Sequence, residues 1–117
     1  MSQAASVLLF APQLLSDAAT LIFTVPTDPG VEILDFCVVQ FVTNDSISRT
    51  VTAYAVPAGS SPLPANCVAY GMPVAITNPP TKLQLPMMGP GDMLYALASV
   101  ASVVSITQLS GVLKSES

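Results

Sequence analysis

The sequence predicts an all-β fold, an antiparallel β-sandwich of seven to eight strands of the jelly-roll or immunoglobulin-like kind, with an N-terminal arm. Three observations predict it. Short runs rich in Val, Ile, Thr, Phe and Tyr recur along the chain. Turn signals separate those runs, and most of the eleven prolines and six glycines fall between them, where proline leaves strand hydrogen bonds intact. Residues 1–16 read as the arm or an edge strand, and residues 17–117 as one sandwich domain.

The first clear run is Thr20 to Val25, closed by Pro26 and the turn Thr27-Asp28-Pro29-Gly30. Asp28, Pro29 and Gly30 form a turn with a mechanism, because Asp caps, Pro fixes φ and Gly accepts a positive φ. The run Val31 to Thr43 follows. It alternates at Glu32-Ile33-Leu34-Asp35 and then turns continuously apolar from Phe36 to Val42, which suggests cover on both faces, core on one and a partner on the other. Asn44-Asp45-Ser46 turns the chain.

Arg49 to Val56 alternates, with Val51, Ala53 and Ala55 on one side and Thr50, Thr52, Tyr54 and Val56 on the other. A loop spans Pro57 to Pro62. Two short strands are expected at Cys67 to Tyr70 and Met72 to Thr77, then a break at Asn78-Pro79-Pro80 and a strand at Lys82 to Leu85. Pro86 to Asp92 is a long turn in which Pro90 and Gly91 fit the middle of a type II turn and Asp92 caps the next strand. Met93 to Ala98 starts that strand. A helix over Met93 to Val104 is the competing reading, and the β-branched ending together with the Pro-Gly-Asp turn favours the strand. Val103 to Val112 closes the sheet, with Val104, Ile106 and Gln108 on one side.

Composition narrows function. Hydrophobic residues make up 51% of the 117 positions and charged residues only 9%, against about 25% charged in an average soluble domain. Disorder is excluded by the same numbers. The net charge is −4, and Arg49, Lys82 and Lys114 are too few to form a nucleic-acid face. No apolar run approaches the ~18 residues of a membrane span. The apolar stretch from Val7 to Ala11 has no basic residue ahead of it and does not match a signal peptide.

The mean hydropathy of +0.65 therefore needs another explanation. A folded chain of this mass exposes roughly 6,000 Å², and ten charged side chains cover little of it. Exposed apolar patches mark association surfaces, so the chain is expected to be an obligate oligomer or a subunit of a larger assembly. The residues expected at such contacts are Val7, Leu8, Leu9, Phe10, Leu14 and Leu15 of the arm. Met87 and Met88 at the long turn are either a flexible partner contact or core filler.

The groups that carry chemistry are sparse. Histidine is absent, which removes His-based triads, His metal sites and imidazole acid–base catalysis. Cys37 and Cys67 lie thirty residues apart and make no zinc site alone. They read as buried thiols in a reducing compartment, with a disulfide between them as the alternative. Glu32 and Asp35 point to opposite faces of a strand and do not form a carboxylate dyad. Asp17, Asp28, Asp45 and Asp92 sit at turns without calcium-loop spacing. Ser60 and Ser61 have no nucleophile elbow, and Gly89-Pro90-Gly91-Asp92 lacks the Lys-Ser/Thr of a phosphate loop. No catalytic residue, metal or cofactor is expected.

The order of these signals carries a resemblance. LIFTVP at Leu21 to Pro26, TVTAYAVPAG at Thr50 to Gly59, KLQL, the segment from Met88 to Ser99 containing GPGD, and VVSITQLSGV at Val103 to Val112 together resemble small virion proteins of tailed phages. The resemblance covers roughly Leu14 to Leu113. Leu113 stands where that pattern has an acid, and the segments Pro62-Leu63-Pro64 and Asn78-Pro79-Pro80 are additional. It implies a β-sandwich located in the virion, of the capsid-decoration, head-fibre or tail-fibre-associated type. It implies a non-enzymatic protein, homotrimeric, with copies of itself and other virion proteins such as the major capsid protein as partners. Neither nucleic acid nor membrane is expected as a partner. The alternative is a tail-fibre tip or adaptor that binds a host-surface glycan through Tyr54, Tyr70 and Tyr95.

Overall fold

The computed structural model of the chain describes residues 2–6, 8–26, 32–44, 49–74 and 80–116, in backbone alone for 2–6, 32 and 115–116. Among the described residues nine strand segments occupy eight strand positions. They are β1 (Ser2–Ser6), β2 (Gln13–Leu14), β3 (Thr20–Thr24), β4 (Glu32–Thr43), β5 (Arg49–Val56), β6 (Cys67–Val74), β7 (Thr81–Gln84), β8 (Met93–Ala98) and β9 (Val104–Glu116). β1 and β2 share one edge of β9, pairing with its end and its start respectively. The described residues contain one turn of 3-10 helix, Pro64–Asn66, and no α-helix. Met93–Ala98 is a strand, as the Pro-Gly-Asp turn before it argues.

Sheet A runs β1/β2-β9-β4-β7 and sheet B runs β3-β8-β5-β6, antiparallel at every pairing. Counting β1/β2 as the first position, the first strand pairs with the eighth, the second with the seventh, the third with the sixth and the fourth with the fifth. This is one long hairpin rolled across two sheets, the jelly-roll topology. The immunoglobulin-like alternative has a different strand order.

The core lies between the sheets. Val39, Phe41, Val104 and Ile106 of sheet A and Phe23, Val51, Ala53, Leu94 and Ala96 of sheet B are all buried in one cluster. The segment between β1 and β2 closes one side, where Phe10 stacks on Phe23 at 5.8 Å between ring centroids. That segment leaves the β9 ladder, and buried Gln108 compensates by accepting the Leu9 N–H on Oε1 at 2.7 Å. Total accessible surface is 6145 Å², what a compact monomer of this size exposes.

Two local expectations are corrected. Cys67–Val74 is one strand, not two, and the break read at Tyr70-Gly71 is a bulge against β5 in which Gly71 takes φ +58°. Its Pro73 is tolerated because β6 is a sheet edge. In β4, the loss of alternation at Phe36 has a backbone cause. Leu34 and Cys37 both face the core while Asp35 and Phe36 both face out, because the strand bulges between them with Phe36 at φ +51°. Alternation then resumes through Val39, Phe41 and Thr43, and Phe36 and Val42 stand exposed on the outer face.

Candidate functional site

No group of three His, Cys, Asp or Glu side chains placed to hold a metal occurs among the described residues. The surfaces with distinctive chemistry are the turn cluster at one end of the sandwich and its two outer faces.

At the end of the sandwich three motifs meet. Asp92 N–H donates to the Gly89 carbonyl at 3.1 Å, which closes a turn over Pro90 and Gly91 with Gly91 at φ +82°, the type II form the sequence predicts. The Asp92 carboxylate accepts the Gly89 N–H on Oδ2 at 2.9 Å and the Ala58 N–H on Oδ1 at 3.0 Å. Val25 N–H donates to the Asp92 carbonyl at 2.8 Å and Gly91 N–H to the Val25 carbonyl at 3.0 Å. Asp92 thus ties the ends of β3, β5 and β8 together, and its role here is structural. Asp28, Pro29 and Gly30 lie outside the described residues.

The outer face of sheet B carries all three tyrosines. Across the sheet, Leu21 pairs with Tyr95, Tyr95 with Tyr54, and Tyr54 with Cys67, one lateral row over four strands. Tyr70 stands beyond it at the β6 bulge, 85% exposed. Tyr54, Cys67, Tyr70 and Pro64 line an open hollow of about 290 Å³. Position in sequence gives no sign of this grouping; strand order and residue parity bring the tyrosines to one face. Val56 also points outward yet is 0% exposed, because the 57–66 segment folds back over this end of β5.

The outer face of sheet A is dominated by the bulge. Asp35 Oδ1 accepts the Phe36 N–H at 2.9 Å, and Asp35 Oδ2 pairs with Lys114 Nζ at 3.0 Å. Lys114 Nζ also lies 5.6 Å from the Phe36 ring centroid, within cation–π range. Ser110 Oγ donates to the Phe36 carbonyl at 3.1 Å.

The residues expected at contacts divide. Phe10, Leu15 and Met88 are core residues of this chain, which corrects their assignment to an interface. Leu15 sits where its N–H donates to Val104, and Met88 is pinned by a two-way bridge to Leu34. Leu9 packs partly against the core. Leu8, Leu14 and Met87 are exposed, and Val7 lies outside the described residues. Met87 is 64% exposed and Met88 1%, so the core-filler reading holds for Met88, while Met87 stands in solvent. Both cysteines are free thiols. Cys37 faces the core, where burial raises its pKa to about 11, and Cys67 is on the outer face of sheet B, so the disulfide alternative fails on geometry.

Fold and surface together define a jelly-roll β-sandwich whose outer faces are poor in charge and partly apolar. No family model, no curated protein and no solved structure matches the chain.

Proposed function

We propose that the chain is a non-enzymatic structural protein of a tailed-phage virion that self-associates on the particle surface, as a capsid-decoration or head-fibre protein. One observation carries this reading. Ten large apolar side chains stand exposed among the described residues, from Tyr70 at 85% to Val100 at 37%, on a chain whose charged residues amount to 9%. Such a surface gains roughly 25 cal/mol for each Å² of apolar area covered, and neighbours are the simplest cover. Its partners are copies of itself, three in the form the resemblance implies, and other virion proteins such as the major capsid protein. The jelly roll is used by viral shell proteins as well as by lectins and enzymes, so it supports the reading by analogy only.

Sedimentation of the recombinant chain and its binding to purified capsids test this. A multimer at micromolar concentration, or saturable capsid binding, is expected. A monomer without capsid affinity overturns it.

The second reading, a tail-fibre tip or adaptor for a host-surface glycan, is favoured by the tyrosine row and the hollow beside it. Aromatic rings offer flat apolar surfaces for sugar rings, and the phenol hydroxyls offer hydrogen bonds. A glycan array decides. Saturable binding abolished by Tyr54→Ala and Tyr70→Ala favours the adaptor; an empty array with a multimeric chain favours the structural protein.

A further inference from the structure

Phe36 holds a backbone conformation that aromatic residues rarely adopt, φ +51°, and thereby presents a ring that is 59% exposed. Gly or Asn would fill the same bulge position with less steric conflict. The surroundings enforce the conformation instead: Asp35 accepts the Phe36 N–H, Ser110 holds its carbonyl, and Lys114 lies over the ring and pairs with Asp35. Strain that neighbouring groups maintain at an exposed aromatic points to a use for the ring outside the chain.

The face around Phe36 has the size of an interface. β4 and β9 lie side by side over residues 32–43 and 104–115, a ribbon about 40 Å long that a third strand flanks over much of its length, for a plan area of about 600 Å². Specific interfaces bury about 600–1,000 Å² on each partner. Its charge suits a copy of itself. Among the described residues the charged side chains on this face are Asp35 and Lys114, which neutralise each other, and Lys82. A strongly charged partner finds no complementary field there, whereas two identical faces meet with little repulsion. Flat sheets stack face to face, and a two-fold axis makes that contact self-complementary.

We infer that the outer face of sheet A is the contact between two copies of this chain, packed sheet on sheet about a two-fold axis with Phe36 as the anchoring aromatic. The inference rests on the self-association reading above and replaces its three-copy form with a pair.

Sedimentation equilibrium and thermal melts on the full chain test it, with Phe36→Asn, Phe36→Tyr, Val42→Lys and Leu21→Lys. The wild type is expected at twice the chain mass. Phe36→Asn weakens association about tenfold or more, while the dissociated chain melts at the same temperature or higher, since Asn tolerates the left-handed region. Phe36→Tyr retains the pair. Val42→Lys, exposed on the same face, weakens it, and Leu21→Lys on sheet B does not. If Phe36→Asn fails to fold, Val42→Lys decides alone. Association unchanged in Phe36→Asn and Val42→Lys overturns this interface and leaves the self-association reading standing. Three times the chain mass overturns the pair and also leaves that reading standing. A monomeric wild type without capsid affinity overturns both.

Discussion

The two outer faces of the sandwich are both poor in charge, yet they are finished differently. On sheet B the 57–66 segment returns over the end of β5, buries outward-pointing Val56 completely and leaves a hollow beside Tyr54 and Tyr70. On sheet A nothing in the described chain returns over the β4–β9 ribbon, and Phe36, Val42 and Leu109 stand in solvent. An outward-facing apolar residue therefore has two meanings in one molecule. Under a loop it belongs to the fold, and its removal destabilises the isolated chain. On the bare face it contributes almost nothing to the isolated chain and is free to serve a neighbour.

The sharpest way to break this comparison is one substitution made on both faces. Val56→Asp places a carboxylate under the 57–66 segment, away from water, and is expected to cost about 4 kcal/mol. Val42→Asp, at an outward position of the same parity on sheet A, is expected to change the stability of the dissociated chain by about 0.5 kcal/mol or less. Urea unfolding of the two variants at low protein concentration checks both. Equal losses would mean that sheet A carries a cover of its own, and the distinction would fail.

Asp92 sharpens the comparison from the loop side. Its carboxylate is the anchor that holds Ala58, and so the start of the covering segment, to the turn at Gly89. Removing two charge-assisted hydrogen bonds by Asp92→Ala is expected to cost about 2 kcal/mol. The loosened segment should also speed thiol labelling of Cys67 beside the hollow while leaving the sheet A face unchanged. A stability loss with unaltered Cys67 labelling would show that the 57–66 segment is held by other contacts.

This anchor explains what the sequence discloses and what it withholds. Turn chemistry is local, so Pro90, Gly91 and Asp92 announce their geometry in four consecutive residues, and the strand bounded by Arg49 and Val56 is readable from alternation. Nothing in those four residues, however, says that Asp92 reaches Ala58, thirty-four positions away. The bulges are hidden for the same reason. At Phe36 an extra residue shifts the parity of the strand, and an apolar stretch with broken alternation looks the same whether the cause is a bulge or double burial. Gly71 marked its bulge only as a break between two strands. Met87 and Met88 differ by one position and by a complete change of environment, which parity next to a long turn cannot settle. The tyrosine row depends on the order of four strands, a global property that no local window contains.

The cysteines report on the inside of one sheet and the outside of the other. Cys67 is expected to react with a disulfide reagent in the native chain, and Cys37 only after unfolding, because burial excludes the reagent and holds the thiol protonated. Raising the folded pKa of Cys37 to about 11 means that the unfolded chain ionises first. Its contribution is complete below pH 9 and is lost as pH rises from about 9 to about 11, a loss of roughly 1 kcal/mol by pH 10. Cys37→Ala should remove that part of the alkaline slope. Simultaneous labelling of both thiols in the native chain would place Cys37 on an opening part of sheet A.

The smallest expected effect is also the most discriminating for the bare face. Lys114 is half-buried and pairs across two strands with Asp35, which is more buried still, so in the dissociated chain Lys114→Met should cost about 0.5 kcal/mol and fade at high salt. The methionine keeps the apolar stem but leaves Asp35 with the Phe36 N–H alone. If a second copy covers this face, association must then bury a carboxylate without its cation, and that penalty is larger and less sensitive to salt than the loss in the open chain. Association should therefore fall by more than stability does. Equal, salt-sensitive losses in both would mean that the Asp35–Lys114 pair is no drier when copies meet, and sheet A would be outside the contact.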